Sequence, residues 1–134
     1  MMQTLLAAGL RLAEALRAEN EALASLDLTR AAMLAAVKIQ AAEIFAAEHA
    51  ACLKADTRAA GDERAAVERL AGALAVLTAE NRVALERSIA LQARVIETIA
   101  GAAAAAARRG SGNYGAGGLA PTRRAAPLAV SARL

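Results

Sequence analysis

One cysteine, one histidine, one phenylalanine, one tyrosine, two prolines and no tryptophan are all that this 134-residue chain offers of several residue types that sites and tight cores lean on. With Cys52 alone no intramolecular disulfide can form, and nothing points to an oxidising compartment. A zinc-type site needs more ligands than His49, Cys52 and Glu48 supply in a workable geometry. Phosphate-binding loops, the nucleophile-elbow pattern and the Cys-x-x-Cys and His-Glu-x-x-His motifs are missing too. His49 therefore reads as a partly buried histidine and Cys52 as a small apolar side chain, while most carboxylates stand beside basic residues on helix faces. No enzyme activity, metal or cofactor is expected.

Long apolar runs are scarce as well. Arg94 and Glu97 interrupt the most apolar region ahead of the alanine run 102–107, so no uncharged stretch reaches about 18 residues and no membrane span is expected. The N-terminal apolar patch has no basic leader, and Glu14 and Glu19 follow it closely. A signal peptide is not expected, and the cytoplasm is the default location.

What the chain has in abundance is alanine, 42 residues of it, against 35 larger apolar side chains. Alanine is the best helix former, and a chain of alanine punctuated by Glu and Arg reads as helix with a thin core. The length allows one domain at most. The fold class is all-α.

Helical periodicity is strong before residue 108. Steps of four and three from Leu5 meet Leu12, Leu16, Leu23, Leu26, Met33, Val37 and Ile44, with Glu19, Arg30 and Gln40 the polar members of the seam. Such a repeat predicts a helix that packs lengthwise against another. Asp27 could cap a new helix, but Leu26 and Leu28 carry the apolar pattern across it, which favours a kink near Asp27 over a full break. The turn is expected at about 59–62, where Gly61 suits a left-handed position and Asp62 and Glu63 suit a helix start. The first helix then covers about 3–58 and the second about 63–107, the latter with a stripe through Val67, Leu70, Leu74, Leu77, Asn81, Leu85, Ile89, Gln92, Ile96 and Ile99. The expected architecture is an elongated antiparallel helical hairpin, roughly 70 to 80 Å long at 1.5 Å per residue. Two helices alone would leave Leu6, Leu10, Leu34, Ile39, Phe45, Val76, Val83 and Leu91 partly uncovered, a row that another helix could cover.

Charge separates a second region. Residues 1–107 carry 11 basic and 13 acidic residues, whereas 108–134 carry five arginines and no acid. The same 27 residues hold five of the nine glycines and both prolines, so 108–134 reads as a disordered Gly/Pro/Arg-rich tail. Five arginines spread so widely, with Tyr114 as the one stacking surface, make a weak nucleic-acid footprint.

Three segments in order resemble a known family. The stretch "LAEALRAENEALASLDLTRAAMLAAVKIQAAEIFAA" is similar to the opening helix of FlgN-like flagellar export chaperones, "ENRVALERSIALQARVIETIAGA" to their last helix, and "NYGAGG" to the tyrosine-then-glycine element that follows it. The alanine content departs from the family pattern, and nothing beyond Gly118 matches it.

The resemblance implies a small cytoplasmic protein, needing no nucleotide or metal, that holds hook-associated proteins before flagellar type III secretion. It implies that the client's C-terminal amphipathic segment binds the last helix, here at Leu85, Ile89, Gln92, Ile96 and Ile99. Those residues could equally pack against the first helix. It further implies docking on the cytoplasmic domain of the export-gate protein FlhA through Asn113, Tyr114 and Gly115, with Tyr114 as the anchor, by a monomer or homodimer. Burying about 200 Å² of tyrosine yields roughly 5 kcal/mol before the cost of ordering its neighbours, which suits a reversible dock. The alternatives are a structural coiled-coil adaptor that oligomerises through the apolar stripe and a weak nucleic-acid binder that uses the basic tail.

Overall fold

The computed structural model describes residues 1–114, with side chains to residue 110. Three helices follow one another: α1 (Met2–Ala24), α2 (Leu28–Lys54) and α3 (Asp62–Tyr114). The chain divides into two compact units, Met1–Glu86 and the segment from Arg87 onward.

The all-α class holds, but the expected two-helix hairpin does not: the first helix is broken in two at Ser25–Asp27. Leu26 takes a left-handed conformation, φ 59°, and lets the Asp27 N–H reach the Ala22 carbonyl at 2.9 Å and the Leu26 N–H reach Leu23 at 3.1 Å. That is the double hydrogen bond that closes a helix C-terminus, a place usually given to glycine. Asp27 then starts α2, its Oδ1 accepting from the Arg30 N–H at 3.1 Å. The continuous apolar pattern misleads here because Leu26 is 59% exposed and contributes nothing to the core.

The end of α2 repeats the device without glycine. Asp56 sits at φ 52°, the Thr57 N–H bonds the Cys52 carbonyl at 2.9 Å, and the Asp56 N–H bonds that of Leu53 at 3.1 Å. Gly61 is left-handed, as expected, yet it stands next to the start of α3 and not at the end of α2. Asp62 and Glu63 occupy the first turn of α3, where the helix dipole favours negative charge.

Within Met1–Glu86 the helices form an up-down-up bundle. At one end Met2 and Leu5 of α1 meet Cys52 of α2, with Ala59 and Val67 packed beside them. Next along the axis, Gly9 lets Leu70 and Phe45 close in, and a Cβ there would collide with Leu70 Cδ2 and press on Phe45 Cε2 at 3.1 Å. Ala13 and Leu16 meet Leu77 in the middle. At the far end Ala22 and Leu23 meet Ala31, with Leu34 and Leu85 against them.

The break also resets the register. In α1 the expected seam is the buried one, including Leu5, Gly9, Leu16, Glu19 and Leu23. In α2 the inward face starts from Ala31, Ala35 and Cys52, whereas the expected seam residues Met33, Val37 and Ile44 are 67%, 51% and 42% exposed. A pattern carried through a reversal lands one residue off, and one residue is about 100° around a helix of 3.6 residues per turn.

Candidate partner-binding surfaces

Helix α3 is where the expected client-binding residues lie, and its two parts treat them differently. Leu85 is half-buried and packs with the Ala22, Leu23 and Ala31 cluster, so it serves the bundle core. Ile89, Ile96 and Ile99 are 50%, 49% and 63% exposed, and Val95 beside them is 49% exposed. Gln92 is half-buried. From Arg87 to Gly110 Ser88 is the only buried residue among the described ones. The stripe therefore splits after Leu85 into a buried or half-buried part and a largely open apolar part.

Asn113 and Tyr114 occupy the last turn of α3, which continues past the expected boundary at Ala107. Their side chains lie outside the described residues, as does all of Gly115 and the rest of the expected tail to residue 134.

By length and composition alone α3 also qualifies as a membrane-crossing helix: its most apolar 18-residue window has a mean hydropathy of 1.3 and none of it is buried. No uncharged run produces that value, for Arg94 and Glu97 stand in the most apolar part of the helix. Each charge would cost about 2.5 to 3.5 kcal/mol at a bilayer centre.

Sequence reasoning passed over a polar layer inside the bundle. Glu19 of α1 is fully buried, and its Oε1 accepts from Lys38 Nζ of α2 at 2.9 Å and from Asn81 Nδ2 of α3. Lys38 Nζ also donates to Asn81 Oδ1 at 3.2 Å, and Asn81 Nδ2 to Asn20 Oδ1 at 2.8 Å. Asn20 in turn donates to the Leu77 carbonyl at 3.3 Å. Glu19 Oε2 has no hydrogen-bond partner among the described residues. A signal was available: Glu19 and Asn81 both interrupt apolar seams at core positions. Buried charge is retained only when paired and hydrogen-bonded, and all three helices contribute here: Glu19 and Asn20 from α1, Lys38 from α2 and Asn81 from α3. This arrangement ties α1, α2 and α3 together through side-chain hydrogen bonds.

The remaining chemistry-bearing residues stay apart. His49 is exposed, against the expectation of partial burial, because the inward face of α2 runs through its neighbours Phe45, Glu48 and Cys52. Cys52 is buried, with Sγ 3.8 Å from the Met1 carbonyl. No group of three or more His, Cys, Asp or Glu is placed to hold a metal ion among the described residues. Of the i,i+4 neighbours on α3, Arg64 and Glu68 meet at 3.5 Å, whereas Arg82 and Glu86 do not pair among the described residues.

No protein-family model matches the chain, and no curated protein or solved structure matches it.

Proposed function

We propose that the chain is a non-enzymatic, cytoplasmic secretion chaperone of the FlgN-like kind. It covers the amphipathic C-terminal segment of a hook-associated protein and delivers it to the export gate, FlhA. The observation that carries this reading is the open row Ile89, Ile96 and Ile99 on α3. Half-exposed isoleucines at helical spacing are a groove side waiting for another helix, and their exposure costs free energy until a partner covers them. The client face is narrower than the sequence suggests, because Leu85 is engaged in the bundle. Docking on the gate falls to Asn113, Tyr114 and Gly115. A membrane is a poorer cover for this row than a client helix, given the charges of Arg94 and Glu97.

The test uses purified full-length chain, a labelled peptide copying the C-terminal helix of a hook-associated protein, and the soluble domain of the gate. Ile96→Asp is expected to weaken peptide binding at least tenfold and leave gate binding unchanged, with Tyr114→Ala doing the reverse. Equal loss of both by either change, with helix content preserved, defeats the division of labour. A stable higher oligomer with no affinity for the peptide would favour the adaptor alternative, in which the same row joins copies of the chain.

A further inference from the structure

A second surface lies within the Met1–Glu86 bundle. Between α1 and the first turns of α3 runs an open groove of about 420 Å³. Its floor is made of Leu6, Ala13, Ala66, Leu70 and Ala73, and the small side chains among these let another helix approach the backbone closely. Leu10 on the α1 side is 57% exposed, and Val76, one turn beyond Ala73, is 58% exposed. Fourteen residues separate Gln3 from Arg17, which along α1 is roughly 21 Å, or about four helical turns.

The charges at this groove choose between occupants. Its lining holds two cations, Arg17 from α1 and Arg69 from α3, and no anion. Neither arginine makes an ion pair among the described residues, and Gln3 of the lining donates from its Nε2 to Glu63 Oε2 at 3.2 Å. A second copy offers a poor match. Its open apolar helix, residues 87–110, carries Arg87, Arg94, Arg108 and Arg109 against Glu97 alone, and would bring positive charge to the two arginines.

We propose that this groove receives one acidic amphipathic helix of a partner protein, about four turns long. Its apolar row lies over Leu6, Leu10 and Leu70, and carboxylates on its two flanks face Arg17 and Arg69. This proposal does not depend on the chaperone reading. A contact of this size falls below the area of standard stable interfaces, so the complex is weak and reversible. Arginine at both rims supplies bidentate recognition of carboxylate and makes the association salt-sensitive.

The experiment measures fluorescence anisotropy of a labelled, end-capped 18-residue peptide with Leu and Ala on one face and Glu on both flanks, titrated with the full chain. The control peptide replaces every Glu with Lys. The acidic peptide is expected to bind in the micromolar range and to weaken severalfold on raising salt from 50 to 300 mM, with no binding of the basic one. The double charge reversal Arg17→Glu and Arg69→Glu, both at exposed positions, is expected to cost at least tenfold and to transfer binding to the basic peptide. Leu10→Asp is expected to abolish binding, with circular dichroism confirming an unchanged fold. Failure of the acidic peptide to bind, equal binding of both peptides, or acidic binding that survives the double reversal overturns the proposal. Loss with Ile96→Asp but not with Leu10→Asp overturns it also, by placing the peptide on the α3 isoleucines. Self-association of the chain that the double reversal disrupts would assign the groove to a second copy instead.

Discussion

The bundle Met1–Glu86 and the helical segment from Arg87 to Gly110 are built from the same vocabulary of alanine, leucine or isoleucine, arginine and glutamate, yet one buries its apolar row and the other exposes it. In the bundle Leu5, Leu16, Leu23, Leu70 and Leu77 are all at 9% exposure or less. Beyond it Ile89, Ile96 and Ile99 remain about half exposed or more. Periodicity tells which residues share a helix face, whereas burial depends on whether two other faces arrive to meet them. A helix in a three-helix bundle is flanked on two sides, which is why even Glu19 can be removed from water there. The segment from Arg87 has the pattern of a core, and its isoleucines are left exposed.

The contrast can be broken most forcefully from inside the bundle. Lys38→Met leaves the buried Glu19 carboxylate with only Asn81 and is expected to destabilise by about 3 to 5 kcal/mol in urea unfolding. Adding Glu19→Leu to that variant is expected to restore most of the loss. No recovery would show that the polar layer is required for the bundle and is more than a register device. Leu16→Ala, at 4% exposure between Ala13 and Leu77, is expected to cost about 2 to 5 kcal/mol, with the unfolding midpoint as the readout. A loss under 1 kcal/mol would mean that α1 and α3 are not packed as described.

Smaller effects sharpen the comparison. Leu26→Gly relieves a left-handed leucine that is mostly exposed and is expected to stabilise by about 1 kcal/mol, seen as a raised melting temperature. Destabilisation would indicate that the Leu26 side chain contributes packing after all. Ile96→Asp, half exposed on α3, is expected to change bundle stability by no more than about 0.5 kcal/mol in urea unfolding, while weakening the proposed peptide binding at least tenfold. A large stability loss there would mean that the α3 row is part of a core and not a surface.

Much of this was legible in the residues. The all-α class follows from composition, and the inward faces of α1 and of α3 as far as Leu85 follow from their spacing. The α2 face was not legible, because the reversal at Ser25–Asp27 carries no glycine or proline and is spelled with Leu26, a strong helix former. Asp27 was the available clue, and it acts through a hydrogen bond to Arg30 that competes with helix continuation only once α2 can fold back on α1. Asp56 hid the end of α2 in the same way, while Gly61 drew attention to the wrong side of the turn. Of the residues expected to bind a client, spacing put Ile89, Ile96 and Ile99 on one stripe with Leu85, and only the packing showed that Leu85 belongs to the core while the isoleucines stay exposed. The sequence did not reveal the Arg17 and Arg69 groove at all, since those residues are far apart in the chain.

By itself, then, the sequence determined helices, their amphipathic faces and the uneven charge, because propensity and periodicity are local properties of the chain. Tertiary structure decided how many helices there are, which face of α2 turns inward, where Glu19 finds its partners and which apolar rows stay open. Those outcomes depend on long-range contacts whose burial offsets a left-handed leucine and a desolvated carboxylate, and no local window of residues contains both sides of that balance.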